Sequence, residues 1–542
     1  MINKILRVFI FQTILITRTF SQAIFEFHAI SEFSNNSIDK TPSWAKFLQI
    51  IIARFFNNIQ KLSSNNKIII WAFLFIIQMA HANPASQSPI YRSNFTIAHK
   101  GNSFWHRSNQ LGVYDKGGFV SLSFYGSYNH LFDYGVSVLG NYNNFNKPIM
   151  PIGFMSKNIK GYNLKIGRWE KSITAESDLS TGSLIRGNNA IPIPQISLSL
   201  PDYKKYTILN QEFWIKGGFS HGWFSKGEYV QAPFLHEKYL YIKKDFSNQS
   251  AFAVGLVHEA MWGGKTRIHG SQPQAFSDYL RVIFARSASS SGLIGDQDNV
   301  LGNHLGIWDL AYTKKGITND LKLYFQHPFE DKSGAYNYFF DELKARKIPV
   351  NSFDGLFGIE IVNKTPGFFK QFLFEYLTTI YQSGPQAATD STYGMDNYYN
   401  HYIYRSGWTY KNRVISNPLF TLGTHPDSDF DGVYILNNRV ENYHFGFIGN
   451  FSQNINYKIL MNYSKNYGTY GDQSRYSIQN IPYNFNGGIK QISALAQLDF
   501  VDIWNNVNIR VSYAIDRGEL LEDTESFLFS ISYNFSNLSP SQ

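Results

Sequence analysis

The chain has 542 residues, with 49 Lys+Arg against 40 Asp+Glu, an aromatic fraction of 17% and no cysteine, which excludes disulfides and thiolate chemistry. Residues 1–82 hold 8 of the basic and 3 of the acidic residues, so the remainder carries 41 against 37, a net of +4. That balance leaves no electrostatic footprint for nucleic acid, and no nucleic-acid partner is expected.

In chain order, the first signal is "NNKIIIWAFLFIIQMAHANP". Lys67, ten apolar residues from Ile68 to Ile77 and the small-x-small triplet Ala80, His81, Ala82 form the three parts of a secretory signal over residues 67–82. Ten apolar residues are too few to span a bilayer. Residues 1–66 read either as a membrane-surface extension or as the product of a start assigned too far upstream; the second is preferred, because a signal peptide belongs at an N-terminus. The mature chain is then expected to begin at Asn83.

After Ala82 no stretch approaches the roughly 18 apolar residues of a transmembrane helix. Strand periodicity takes over. "GFVSLSFYGSY" sets Val120, Leu122 and Phe124 against Ser121 and Ser123, and "YGVSVLGNY" repeats the pattern after the short link "YNHLFDY". "NYKILMNYS" sets Tyr457, Ile459, Met461 and Tyr463 against Lys458, Asn462 and Ser464, and "VNIRVSYAID" sets Val507, Ile509, Val511, Tyr513 and Ile515 against polar or small neighbours. The last run carries Phe527, Phe529, Ile531, Tyr533 and Phe535 on one face. Alternation over about nine to eleven residues with aromatic ends suits a bilayer-spanning strand more than a soluble sandwich. The predicted fold is all-β: a transmembrane antiparallel up-and-down outer-membrane β-barrel of roughly 16–18 strands with long outer loops. Residues 83–117 are expected to form a periplasmic segment, 118–535 the barrel and 536–542 a C-terminal tail. "FFDELKARKIP", ended by Pro349, is the best short-helix candidate.

Two stretches are too long and irregular for turns: residues 263–303, and residues 382–442 with "YGMDNYYNHYIYRSGWTYKNRVISNPLF". The second gathers Tyr398, Tyr399, His401, Tyr402, Tyr404, Arg405 and Trp408; the first offers Trp262 at its edge with Arg267 and His269. Rings with polar tips suit sugars, whose C–H faces stack while their hydroxyls find partners. The plainer reading is that these rings pack the loop or join the interfacial girdle.

The mature chain resembles the capsule assembly Wzi family, outer-membrane barrel lectins that hold capsular polysaccharide on the cell surface. The phrases that carry the resemblance are "GSLIRGNNAIPIP", "HEAMWGGKTRIHGSQPQAFSDYL", "DNVLGNHLGIWDL" and "GWTYKNRVISNPL", spread over most of residues 110–450. It implies a capsular or extracellular polysaccharide partner. Proteobacterial members carry an N-terminal helical plug, for which the roughly 36 residues before the first predicted strand near Phe119 leave little room.

Sites with other chemistry are weaker. Asp427, Asp429 and Asp431 match the opening of a calcium loop, but Asn438 stands where the bidentate Glu belongs, so a polar turn is preferred and no cofactor is expected, with calcium as the alternative. His258 and Glu259 are strand neighbours pointing to opposite faces and cannot share a proton; His258 is expected to end a lipid-facing row. Arg186, Lys265 and Arg267 offer charge to acidic sugars or lipid phosphates, against the plainer reading of solvated loop charges. No Gly-x-Ser-x-Gly elbow or His-Glu-x-x-His helix occurs. The expectation is a non-enzymatic, monomeric barrel that contacts outer-membrane lipid and binds surface polysaccharide. A porin or sugar channel is the alternative, and a barrel enzyme acting on lipid or glycan the third.

Overall fold

The computed structural model describes residues 92–113, 117–128, 131–141, 149–171, 173–174, 176–225, 229–330, 354–365, 367–382, 397–424, 433–469, 484–504 and 506–534. Eighteen strands form one sheet. They are β1 Arg92–Lys100, β2 Gly117–Tyr128, β3 Phe132–Asn141, β4 Ile149–Ile159, β5 Tyr162–Arg168, β6 Gln195–Ile208, β7 Gln211–Trp223, β8 Phe234–Ser247 and β9 Ser250–Trp262 in the first half. The second half holds β10 Asn303–Lys315, β11 Asn319–Phe329, β12 Gly355–Asn363, β13 Gln371–Thr378, β14 Val440–Ser452, β15 Ile455–Gly468, β16 Asn484–Trp504, β17 Val507–Gly518 and β18 Thr524–Asn534. β1 pairs with β2, Ile97 opposite Val120, and also with β18, Ile97 opposite Ile531, so the sheet closes on itself. Two contact units divide the chain, residues 91–137 with 150–542 and residues 1–90 with 138–149. Of the second unit only 138–141, ending β3, and Ile149, opening β4, are described.

The connections sort by length. Short ones follow β2, β4, β6, β8, β10, β12, β14 and β16, at the end of the barrel where β1 starts and β18 finishes. The long ones, among them 101–116, 169–194, 263–302 and 379–439, lie at the other end. Outer-membrane barrels place short turns in the periplasm and long loops outside, which orients the chain.

The period-two pattern sets the two faces. On β15, Ile459, Met461 and Tyr463 are exposed while Asn462 and Ser464 are buried, and on β17 Val511 is exposed while Ser512 is buried, as the alternation predicts. Outward rings pair across β13 and β14: Phe372 with Phe447 at 5.0 Å, Phe374 with Phe445 at 5.1 Å and Tyr376 with Tyr443 at 5.1 Å. Such cross-strand pairs stabilise a sheet by roughly 0.2–1 kcal/mol each. No helix among the described residues is long and apolar enough to cross a membrane; the strands do the crossing.

Two expectations change. The first strand is Arg92–Lys100, well before Phe119, because "RSNFTIAHK" gains its ladder from β2 and β18 rather than from its own weak pattern. Residues 101–113, expected in a periplasmic segment, instead lie at the long-loop end and carry a one-turn helix, α1 Phe104–Arg107. The signal-peptide residues, the helix candidate before Pro349, Phe535 and the tail fall outside the described residues.

Candidate functional site

Three segments from the long-loop end occupy the lumen, each fastened to inward side chains. In segment 169–194, Ser177 donates to Glu360 at 2.5 Å and Ser180 to Glu375 at 2.5 Å. The Thr181 amide donates to Glu375 at 2.9 Å and the Leu184 amide to Gln326 at 3.0 Å. His444 donates from Nε2 to the Leu179 carbonyl at 2.8 Å and meets the Asn462 side chain through Nδ1 at 2.6 Å. Gly446 makes this approach possible: a Cβ there would lie 2.9 Å from Cβ of Leu179. These anchors come from β11 to β15.

The same segment is fastened to β8 and β9 by charge. Lys171 pairs with Glu237, and Arg186 Nε lies 2.8 Å from Glu259 and 3.5 Å from Glu237. All four are buried or nearly so. Burial works against the Arg186 charge, but Glu259 and Glu237 outweigh it and hold the guanidinium above its ordinary value, while burial lowers Lys171 despite its partner. Arg186, expected as a charge available to acidic sugars, is thus committed to the wall. Its partners face inward by strand parity, which separates Glu259 from His258.

Segment 101–113 closes another side. The Phe104 amide donates to Asp516 at 2.8 Å, the Trp105 indole to the Ser493 carbonyl at 3.2 Å, and His106 meets Ser526 at 2.8 Å and Ser512 at 3.0 Å. Segment 397–424 lies over 169–194: Tyr399 donates to the Leu184 carbonyl at 2.9 Å, Trp408 to the Ile185 carbonyl at 3.3 Å and Asn417 to the Gly182 carbonyl at 2.6 Å.

This packing decides where the predicted sugar-binding residues sit. Tyr398, Tyr399, Tyr404 and Trp408 are buried, none more than 3% exposed. Their polar tips are spent inside: Tyr398 on Asp354 at 3.1 Å, Tyr404 on the Gly263 carbonyl at 3.2 Å, and Tyr399 and Trp408 on segment 169–194. The ring of Tyr399 also packs at a tilt against Phe420, with centroids 4.5 Å apart. These four build the plug, and their faces are covered.

Tyr402, His401 and Arg405 are half-buried and nearer the outside. Tyr402 donates to Asp296 at 2.7 Å and packs at a tilt against His401 at 4.7 Å, and Arg405 sits 5.2 Å from the ring of Tyr229. Enclosure pushes His401 down to about 3, so its neutral ring accepts the Ile403 amide at 3.2 Å. Arg267 and His269 are exposed, in the turn of a small three-stranded sheet where Lys265–Thr266 joins Gly270–Ser271 and Val230–Gln231. The structure therefore brings the two long segments together, through Tyr402 with Asp296 and Tyr404 with Gly263. Trp262 stands apart on the outer wall, stacked on Tyr279 at 5.1 Å.

His258 points outward as expected but is not lipid-exposed: it is buried against His304 at 2.9 Å, beneath a helix of the first long loop, α2 Phe276–Ile283. Among the described residues, no group of three or more His, Asp or Glu is placed to hold a metal; Asp427, Asp429 and Asp431 lie outside them. Sequence reasoning missed Glu237, Glu360 and Glu375, and considered Glu259 only as a neighbour of His258. Glu259, Glu360 and Glu375 are each the one carboxylate, at the inward phase, of a largely apolar strand, a signal "GLVHEA" and "FLFEYLT" already carried, whereas Glu237 sits in a charged strand that gives no such signal.

Eighteen antiparallel strands closed on themselves, apolar outward rows and a lumen occupied by the chain's own loops define a plugged outer-membrane β-barrel. A family model described as capsule assembly protein Wzi matches residues 82–425, and the chain belongs to that family. Among solved structures, Wzi of Escherichia coli, an outer-membrane carbohydrate-binding β-barrel involved in group 1 capsule assembly, is 14% identical, with 89% of this chain and 91% of that chain covered at a TM-score of 0.53. The two share the fold. OccK5 (OpdH) of Pseudomonas aeruginosa is 10% identical, covering 82% of this chain and 97% of that chain at a TM-score of 0.38. OccAB4 of Acinetobacter baumannii is 9% identical, covering 83% and 99% at 0.41. No curated protein matches the sequence.

Proposed function

We propose that the protein holds capsular or related surface polysaccharide at the outer membrane, by binding without turnover, through the cap its long loops build over the lumen. Membership of the Wzi family supports this reading, as does the carbohydrate binding of the E. coli relative. The observation that carries it is the cap itself. Two long segments are bonded across the mouth and leave Arg405 beside Tyr229, Tyr402 beside His401, and Arg267 and His269 toward the outside. A cation beside a ring suits an acidic sugar, whose carboxylate takes the guanidinium while its C–H face takes the ring. A channel would need an open lumen, which segments 101–113, 169–194 and 397–424 occupy.

The test is an Arg405→Ala/Tyr402→Ala double variant, shown to be folded by heat-modifiable gel mobility. Binding to purified capsular polysaccharide is expected to weaken about tenfold or more, equivalent to 1.4 kcal/mol. Unchanged binding would remove this part of the cap from the site. Steady conductance of the unaltered protein in planar bilayers would favour the channel.

A further inference from the structure

The first long loop does not stay over the mouth; part of it folds down the outside of the barrel. On α2, Val282 is fully buried and Tyr279 faces the wall, stacked on Trp262 and edge-on to His221 at 5.2 Å and His236 at 5.7 Å. Lys238 of β8 donates to the Ile283 carbonyl. The opposite side of the helix carries Phe276, Leu280 and Phe284, four residues apart, exposed by 75%, 41% and 65%. Ile294, in the next helical turn of the loop, is 77% exposed.

This apolar stripe is continuous with the lipid-facing wall. Along β8, Lys238 is followed on the same face by Leu240 and Ile242, both exposed, and Phe219 and Leu256 flank them on β7 and β9. The loop's exposed charge is mostly of one sign: Lys265, Arg267 and Arg286 are exposed against a single exposed acid, Asp298, because Asp278 and Asp296 are buried, while Arg281 is half-buried on the Ser287 carbonyl. Arg286 lies 5.7 Å from the ring of Phe284, at the edge of the stripe. Apolar side chains bordered by cations, at the upper limit of a lipid-facing band, match a surface that enters acyl chains beneath phosphate-bearing headgroups.

We infer that α2 is an interfacial anchor that docks on the outer-leaflet lipid, its Phe276, Leu280 and Phe284 stripe among the acyl chains and Arg286 at a headgroup phosphate. The inference rests on the lipid partner of the barrel and is independent of the polysaccharide. The anchor ties the loop that reaches Tyr402 and Tyr404 to the membrane plane, so the cap is held both from the lumen and from the bilayer.

The absence of cysteine makes any introduced thiol unique. Phe276→Cys and Phe284→Cys are prepared in the full chain, checked for folding by gel mobility, nitroxide-labelled and placed in phosphatidylcholine vesicles with and without lipid A. Leu240→Cys and Ile459→Cys serve as lipid references and Leu209→Cys, in a periplasmic turn, as the water reference. The expected result is a collision ratio of oxygen to a nickel chelate that shifts to that of Leu240→Cys. In addition, lipid A deepens the Phe284→Cys label, and adding Arg286→Gln abolishes that deepening. Labels at 276 and 284 that read like Leu209→Cys, while Leu240→Cys reads lipid, would overturn the anchor and leave the barrel intact. Spin–spin broadening that grows with protein density would overturn it in favour of a second copy.

Discussion

The outer and inner faces of β13 and β14 use the same backbone for opposite purposes. Outside, Phe372, Phe374 and Tyr376 repeat one motif against Phe447, Phe445 and Tyr443, and a neighbouring lipid accepts any apolar ring equally well. Inside, Glu375 takes the Ser180 hydroxyl, the Thr181 amide and the Tyr324 hydroxyl, and His444 takes the Leu179 carbonyl and the Asn462 side chain. The outer face determines where the protein resides. The inner face determines which segment fills it, because a buried carboxylate or imidazole tolerates few alternatives to its partner.

The sharpest way to break this contrast is on the inside. Arg186→Ala would leave Glu259 uncompensated in the lumen wall and Glu237 with Lys171 alone, and truncating one partner of a buried ion pair costs about 3–5 kcal/mol. The expected outcome is a lower heat-modification midpoint together with more frequent channel openings in planar bilayers than the unaltered chain gives. On the outside, Val511→Arg puts a charge into the lipid band and is expected to cost about 2–4 kcal/mol, measured as folding yield into vesicles, with the lumen still closed to ions. If Val511→Arg opened the lumen and Arg186→Ala did not, the division of labour would be reversed.

The smallest effect is one of pH. Asp354, in the loop before β12, accepts the Tyr381 and Gln382 amides and the Tyr398 hydroxyl at 3.1, 2.7 and 3.1 Å, and burial pushes its carboxyl up to about 6. A raised folded value means the native state binds the proton more tightly. Its contribution is therefore complete below the ordinary aspartate range and is lost as pH rises through about 6. Denaturant unfolding between about pH 4 and 7 should show the unaltered protein losing up to about 3 kcal/mol relative to Asp354→Asn. Parallel curves for the two proteins would show that Asp354 does not titrate in this range.

The wall was legible in the sequence because it obeys a local rule. Strand β17 shows its facing in five alternate residues, and the strand count falls at the top of the expected range. The plug was not legible, because its order comes from contacts between distant residues that leave no periodic trace. Arg186 meets Glu259 only after β6 to β9 have formed, and "GSLIRG" looks like any polar loop until then. The aromatic cluster shows the same limit. Composition marked Tyr398 to Trp408 as unusual, yet burial divides it into four rings that build the plug and a smaller group, Tyr402, His401 and Arg405, nearer the outside. A ring suited to covering the face of a sugar is equally suited to packing against Phe420, and only the fold separates the two.

Closure of the sheet by β1 on β18 makes the last strand a checkpoint on assembly. Ile97 and Ile531 face each other across that joint although 434 positions separate them, and bringing such distant partners together costs about 5 kcal/mol of chain entropy on a simple loop estimate. Until Thr524–Asn534 is in place, β1 and β17 each present an unpaired edge, which hydrocarbon penalises at every amide and which templates pairing with other chains. Segment 101–113 fastens itself beside the joint, to Asp516 and Ser512 of β17 and to Ser526 of β18, so its last anchor arrives with the same strand. A chain interrupted anywhere before Thr524 therefore forfeits both the ring and the Ser526 anchor of its plug.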